Sequence, residues 1–218
     1  MSVLKEFEYC VPDSQKLADL YGIQINLEQA VRFSDLHIEI DPTAPGLSTD
    51  EIMRREHTRH ALCRAAFISY GRCFGSGARK AVDASLIERL PSELQRRHAQ
   101  VGDLRNKWVA HSVNHFDDVR VRIQAVVEDN GNQRITGVSM AANLVGGFFQ
   151  AWMIAYRELF VAVLECVKAD VTIESNRLSE KVKAMPETSL AKLRRVDNEP
   201  LTRKSWDPHQ SRGRFKVN

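Results

Sequence analysis

An arginine and a histidine border one apolar helical stripe in the segment 104–112, whose sequence is LRNKWVAHS. At 100° per residue, Arg105 and His111 lie about 60° on either side of Trp108, the centre of the stripe. An arginine can hold two oxygens of an anion, and a histidine can transfer protons near neutral pH. The pair therefore predicts a site that binds an oxyanion and moves protons. In the alternative interpretation both residues are structural: the aliphatic stem of Arg105 packs on the stripe while its guanidinium forms a salt bridge, and His111 is a hydrogen-bonded histidine of the core.

Other polar residues could accompany this pair. Asn106 lies about 160° from the centre of the stripe, so we expect it to face a neighbouring helix and assign it a positioning role. His57 and His60, and likewise His111 and His115, have the spacing of metal ligands on a helix. No third ligand matches either pair, so we predict no metal and no cofactor.

The motif segment resembles the HEPN superfamily, whose signature is an arginine, often followed by a polar residue, with a histidine four to six residues further on. Here Arg105 is followed by Asn106, and five residues separate Arg105 from His111. The wider string LRNKWVAHS is similar to that of abortive-infection members. The segment RAAFISYGR, residues 64–72, resembles the helix that precedes the motif in such proteins.

The resemblance implies a helical bundle that pairs as a homodimer, with the motif helices meeting near the two-fold axis. It implies a metal-independent endoribonuclease that acts on RNA as a phage-defence or toxin effector and leaves a 2′,3′-cyclic phosphate. An antitoxin or a defence-system protein would be a further partner. In such a site His111 would act as base or acid, Arg105 would stabilise the phosphate, and a second chain would supply the same pair.

The chain also departs from the family pattern. Some toxin members carry a tyrosine two residues after the histidine, which a partner nucleotidyltransferase modifies, whereas this chain has Val113. Some members only bind RNA or nucleotides. The alternative hypothesis is therefore a non-catalytic HEPN-like binding or scaffolding protein. In that case Arg105 and His111 would bind RNA, a nucleotide or the second chain.

Helical periodicity predicts the elements that position this motif. We expect helix over residues 13–38 with a break at Gly22, then a loop over residues 39–46. A capping-box pattern from Ser48 to Glu51 predicts a long helix to about Phe74, with a buried stripe. We expect that stripe to contain Ile52, Leu62, Ala65, Ala66, Ser69 and Tyr70.

Two helices follow. A second capping-box pattern, Ser85 to Glu88, predicts a short helix. Pro91 suits the first turn of the next helix, which would carry the motif to about Val113.

Alternating apolar residues then predict a β-hairpin at about residues 119–139, turning at Asn130-Gly131 and packing on the helices. Helical periodicity returns from Ala141 to about Ala184. The expected fold class is all-α, an antiparallel helical bundle with an inserted two-stranded hairpin.

Composition and charge set the remaining expectations. The apolar fraction of 43% and charged fraction of 27% in 218 residues are typical of one globular domain, and they exclude a fully disordered chain. We expect a bundle over residues 1–186 and a basic tail over 187–218. Residues 201–218 contain five basic residues and one acidic residue, which gives this segment a net charge of +4. The whole chain has a net charge of +3, so the rest of the chain has a net charge of about −1. This tail would add salt-dependent RNA affinity, although a solvated terminus is the alternative.

The remaining sequence signals concern compartment. The longest apolar stretch, residues 144–156, is too short to span a bilayer, and we identify no signal peptide. The four cysteines are scattered and form no CxxC pair. We therefore expect a reduced, cytoplasmic protein that does not bind membranes.

Overall fold

The computed structural model describes residues 7–8, 12–75, 81–105, 117–127, 133–144, 150–190 and 193–195. These ranges are mostly helical, with short antiparallel strand pairs, so the coarse prediction of an all-α fold with an inserted hairpin is confirmed. In chain order the elements are β1 (Phe7–Glu8), α1 (Pro12–Glu39), α2 (Thr49–Gly71), α3 (Ala84–Glu88), α4 (Ser92–Leu104), β2 (Asp117–Val127), β3 (Gln133–Leu144), α5 (Gln150–Lys183), α6 (Glu187–Leu190) and β4 (Arg194–Arg195).

The first helix corrects one prediction. α1 continues through Gly22, where we expected a break. Gly22 is buried in this helix. A mid-helix glycine costs only about 1 kcal/mol relative to alanine, so the packing of a long helix readily outweighs it. The loop after α1 is as predicted: the hydroxyl and backbone N–H of Thr43 both donate to the Asp41 carboxylate, and Gly46 adopts a φ of 82°.

Side-chain caps begin the next two helices. The Ser48 hydroxyl accepts a hydrogen bond from the Glu51 backbone N–H, which confirms the predicted start of α2. α2 ends at Gly71, slightly before the predicted Phe74. The predicted cap at Ser85 is wrong. Asp83 caps α3 instead, because its carboxylate accepts from the Ser85 N–H at 2.9 Å.

The helix that leads into the motif begins at Ser92, with Pro91 as its N-cap residue. Its described part ends at Leu104, and the predicted continuation to Val113 lies outside the described residues.

The hairpin is present and longer than predicted. β2 and β3 pair from Asp117↔Leu144 to Val127↔Gln133, whereas we expected strands only within residues 119–139. Ala141–Leu144 therefore belong to β3, and the prediction of helix from Ala141 is wrong. Backbone pairing with the start of β2 competes successfully there with a weak helical pattern. The turn itself lies outside the described residues.

The described residues divide into two compact units. The second unit, Ile23–Cys166, has an aromatic core around Phe67, whose ring contacts Tyr156 and Phe160 edge-on at centroid distances of 5.2 and 6.2 Å. The predicted stripe of α2 is buried at Ala66, Ser69 and Tyr70, and Leu62 and Ala65 are half-buried. Ile52 is 38% exposed, so its predicted burial is wrong because it lies one turn from the open start of α2.

The first unit contains the described residues up to Gly22 and from Val167 onward. Its buried Glu174 forms ion pairs with Arg177 at 2.7 Å and Lys16 at 3.1 Å. The hydrogen bond from Arg177, followed by that from Lys16, lowers the pKa of the Glu174 carboxyl. The predicted tail, residues 187–218, is described only as far as Arg195, through α6 and β4. Among the helices described, none is long and apolar enough to cross a bilayer.

Candidate functional site

Arg105 directly follows the last residue of α4. Its backbone N–H donates to the carbonyl of Val101, as in a regular helical turn, and its φ and ψ are −58° and −46°. The side chain is half-buried. The predicted apolar stripe lies beside it, since Val101 is buried and Leu94 and Leu104 are half-buried. The position of Arg105 at the margin of an apolar helical face is thus as predicted.

The stem of Arg105 lies against Gly71, the last residue of α2. A Cβ placed on Gly71 would lie 3.2 Å from both Cγ and Cδ of Arg105 and 3.3 Å from its Nε. These separations are tighter than ordinary van der Waals contact, so a Cβ at this position would require the arginine stem to shift by a few tenths of an ångström. The absence of a Cβ at Gly71 therefore allows the Arg105 stem to lie close to α2.

A histidine and an arginine occupy the α2 face that carries Gly71. His60, Arg64 and Gly71 are spaced by four and seven residues, which places them within about 40° of one another around the helix. His60 and Arg64 are half-buried, and His60 Nε2 and Arg64 Nε are inaccessible to solvent. Arg64 lies about 10 Å along the helix axis from Gly71. Arg72, the other arginine considered for a phosphate track, is exposed and lies on a different side.

His98 lies two turns before Arg105 on α4, and it belongs to the aromatic core. Its Nδ1 shares a 2.8 Å hydrogen bond with the Tyr70 hydroxyl, and its ring packs edge-on against Phe74 at 4.5 Å. Burial lowers the pKa of His98 and raises that of Tyr70. This histidine therefore anchors α4 to α2, and burial disfavours its charged form.

Arg97 anchors the same helix to α5, a contact that sequence reasoning missed. Its Nη1 donates to the Ala155 carbonyl at 2.8 Å and to Glu158 at 2.6 Å, and its Nε donates to Glu93 at 3.0 Å. The Glu158 hydrogen bond is the main cause that raises the pKa of Arg97. Only the Glu93 partner, four residues earlier on the same helix, could have been found from the sequence.

The other half of the predicted site is not located by the structure. His111, Asn106 and Trp108 lie outside the described residues, so no distance joins Arg105 to His111. In the part of the chain that is described, no three His, Cys, Asp or Glu side chains are grouped as metal ligands.

The cysteine interpretation can be checked at two positions. Cys63 and Cys73 are both buried in the helical core. The Cys73 thiol donates to the Ser69 carbonyl at 3.5 Å, and burial raises the pKa of this thiol to about 12. Since the thiolate is the reactive form, Cys73 is a packing residue, as predicted.

Comparisons with known proteins found no relative. No family model matches the chain, and neither the curated proteins nor the solved structures contain a significant match.

Proposed function

We propose that this protein is a homodimeric, metal-independent endoribonuclease of HEPN type that acts as a phage-defence or toxin effector. The placement of Arg105 is the observation that carries the proposal. This arginine follows a helix that is anchored on both sides, its stem lies on a glycine, and its side chain is half-buried. A surface arginine that only adds solubility needs none of these features.

Arg105 would act on the scissile phosphate. A guanidinium presents a planar fork of donors that can hold two phosphate oxygens. Its side chain is half-buried and its stem lies close to α2 at Gly71, so part of its side-chain freedom is already lost before RNA binds. Arg64 adds positive charge on the same face of α2, where it would attract a polyanion.

The proposed reaction uses the 2′-hydroxyl of RNA as nucleophile. His111 of one chain removes the 2′-hydroxyl proton, and the new bond from O2′ to phosphorus displaces O5′. His111 of the second chain, in its protonated form, gives a proton to the departing O5′. Arg105 stabilises the charge that builds on the phosphorane, and Asn106 positions the motif helix. The products are a 2′,3′-cyclic phosphate and a free 5′-hydroxyl.

Cleavage of total RNA by the purified protein in EDTA tests this proposal. We expect cleavage of RNA but not of DNA, because DNA lacks the nucleophile. His111→Ala and Arg105→Ala should each lose about two to four orders of magnitude in rate. Arg105→Lys should recover little, because an ammonium cannot reproduce the planar fork. Arg96→Ala is the matched control, since Arg96 is exposed on the same helix.

Mixing the two inactive variants tests the two-chain arrangement. A mixed dimer of Arg105→Ala and His111→Ala holds one Arg105 and one His111, whereas each variant by itself lacks one of these groups in both chains. If the cleft uses groups from both chains, mixing should therefore regain a small part of the activity, limited by the missing second histidine. A wild-type protein that cuts no RNA in EDTA, or a His111→Ala variant as fast as wild type, would contradict the proposal. RNA binding without cleavage would then favour the binding or scaffolding alternative.

A further inference from the structure

The charge of α2 changes along the helix. Residues 49–56 contain three acidic side chains, whereas residues 57–71 contain two arginines, two histidines and no acidic residue. The first of these arginines, Arg59, is buried and forms an ion pair with Glu56 at 3.4 Å. The second, Arg64, is half-buried, so it can carry its charge to the surface of the helix.

Arg64 shares a face of α2 with the contact point of Arg105. Arg64 and Gly71 are seven residues apart, so they lie within about 20° around the helix and about 10 Å along its axis. The Arg105 stem lies over Gly71, and its Nε is 3.3 Å from a Cβ placed there. Because the guanidinium carbon is bonded to this Nε, the charge of Arg105 also lies at this end of α2. Two guanidinium groups therefore belong to one face of the helix.

The acidic residues of α4 lie away from this face. Glu93, in the first turn of α4, forms ion pairs with Arg96 and Arg97. Asp103 is exposed and lies two residues before Arg105, which places it about 160° away around the helix. The face that Arg64 and Arg105 share is therefore basic, and its natural complement is an anion.

The spacing of the two arginines fits a polymer with regularly spaced charges. A strand in a stacked duplex presents one phosphate for about every 3.4 Å of its axis, and an extended strand spaces its phosphates more widely. The roughly 10 Å between Arg64 and Gly71 therefore spans one to three nucleotides. A guanidinium has five N–H donors, so an ion pair within the protein still leaves donors for a phosphate.

We infer that Arg64 binds a second phosphate of the RNA strand, one to three nucleotides from the phosphate that Arg105 holds. The inference rests on the proposed function for the identity of the polyanion, and it adds a substrate class. The substrate is an RNA with a further phosphate beyond the scissile one, rather than a dinucleotide. Because this second phosphate keeps its charge throughout the reaction, Arg64 stabilises the bound substrate and the transition state equally.

RNA binding by the full chain tests the inference, with Arg64→Gln as the variant and Arg72→Gln as its matched control. Glutamine keeps part of the aliphatic stem and removes the charge. Arg72 is exposed on another side of the same helix, and it is closer to Gly71 in sequence than Arg64 is. An RNA of about six nucleotides with a 2′-O-methyl group at every position has no free 2′-hydroxyl, so fluorescence anisotropy measures its binding without cleavage.

Arg64→Gln should raise the Kd for this RNA about three- to tenfold, because one charge-assisted contact is lost. It should also reduce the slope of log Kd against log salt concentration by about 0.7, the contribution of one phosphate in a single strand. Arg72→Gln should leave both quantities as in wild type. If Arg64→Gln lowers the melting temperature, Arg64→Lys takes its place, and it should keep the wild-type slope because it keeps the charge.

A methylphosphonate linkage, which removes the charge of one phosphate, identifies the partner of Arg64. The substitution is moved through every linkage of the RNA. At one linkage wild type should lose as much affinity as Arg64→Gln loses with unmodified RNA, and Arg64→Gln should lose nothing further. Arg105→Ala should show the same behaviour at a different linkage, one to three nucleotides away.

Cleavage kinetics separate the roles of the two arginines on unmodified RNA. Arg64→Gln should raise KM and change kcat less than about twofold, because it removes binding that substrate and transition state share. Arg105→Ala should instead lower kcat, as expected for a group that stabilises the phosphorane.

Three outcomes would overturn the inference. The first is that Arg64→Gln changes the Kd and the salt slope no more than Arg72→Gln does. The second is that the losses from methylphosphonate and from Arg64→Gln add at every linkage. The third is a wild-type protein without salt-dependent RNA binding. By contrast, a protein that binds RNA as described and cleaves none would contradict the proposed function and leave this inference intact.

Discussion

Residues of the same apolar character have opposite surroundings in the helical core and in the hairpin. Phe67 and Phe160 of the core are fully buried, whereas Ile123 and Ile135 of the hairpin are mostly exposed. The helices of the core pair their backbone groups internally, whereas the two-stranded hairpin pairs only the inner edges of β2 and β3 with each other. The difference shows that backbone pairing and side-chain burial are separate requirements, since the hairpin has a regular ladder without burying these side chains.

The two regions also differ in what holds them together. In the core, Tyr70 packs against Phe160 at 4.6 Å and shares a hydrogen bond with His98, so helices α2, α4 and α5 are fixed to one another. In the hairpin, the side-chain hydrogen bond from the Thr136 hydroxyl to the Gln124 carbonyl, 3.3 Å long, stays within the ribbon. Truncation of a large side chain to alanine should therefore change the free energy of unfolding by very different amounts in the two regions.

The largest expected effect is on stability, and it sets the two regions directly against each other. Phe67→Ala should lower the free energy of unfolding by about 3–5 kcal/mol, because a buried ring leaves a cavity among other rings. Ile135→Ala should lower it by less than about 1 kcal/mol at concentrations that favour the monomer. Urea denaturation at low protein concentration measures both. Equal losses at the two positions would refute the contrast.

The next largest expected effect is on the pH dependence of stability, which should differ between a buried and an exposed histidine. His37 is fully buried, and burial, followed by the charge of Arg59, lowers its pKa from 6.5 to about 4. The folded state therefore binds this proton less readily than the unfolded state does. Stability should fall by about 2–3 kcal/mol as the pH decreases from 6.5 to 4, and this histidine should add no further loss below that range.

Denaturation midpoints between pH 7 and pH 4.5 check this dependence. His37→Gln should flatten the slope, whatever its effect on stability at pH 7. His57→Gln is the control, since His57 is exposed on α2 and should leave the slope as in wild type. A slope that His37→Gln does not change would show that other groups cause the acid sensitivity.

The smallest expected effect compares two glycines, one in each region. Gly71→Ala would push on the Arg105 stem at 3.2 Å, whereas a Cβ on Gly137 would meet only the flexible end of Gln124 at 3.4 Å. If the proposed function is correct, Gly71→Ala should slow RNA cleavage about three- to tenfold, with a change in stability of less than about 1 kcal/mol. Gly137→Ala should leave cleavage unchanged.

Gly75→Ala is a closer control for this comparison. It lies four residues from Gly71, and its nearest contact would be an ordinary 3.8 Å. If Gly75→Ala slowed cleavage as much as Gly71→Ala, the contact with Arg105 would not be the cause.

Local signals in the sequence predicted most of the described elements. The Ser48 cap, the loop after α1 and the alternation of β2 each depend on neighbouring residues, so they can be recognised without tertiary information. The predictions that failed depend instead on contacts between elements that are distant in sequence. Gly22 remains helical because α1 is packed along its length, and Ala141–Leu144 form a strand because a partner strand is available. Neither cause is visible in the local pattern.

The candidate site shows the same division. The margin position of Arg105 follows from helical spacing around its own axis, and the structure agrees for the described part of the stripe. Its contact with Gly71 joins two residues on different helices that are more than 30 positions apart in sequence, so periodicity could not reveal it. The exposure of Ile123, Val127, Ile135 and Val138 was also hidden, and the expectation that the hairpin packs on the helices is wrong for these side chains. An alternating strand pattern shows which residues share a side but not whether anything covers that side.

The β-bulge at Thr136 has a consequence for insertions and deletions in this chain. In most positions of a strand, loss of one residue turns every side chain beyond it to the opposite face. Thr136 is already the extra residue, since Gly137 pairs with Gln124 and Ile135 pairs with Ala125 on either side of it. Removal of this one codon would restore a regular ladder and reduce the local twist, while Ile135 and Val138 kept their common side. Loss of the adjacent codon for Ile135, by contrast, would remove one of the exposed aliphatic side chains from that side of the ribbon.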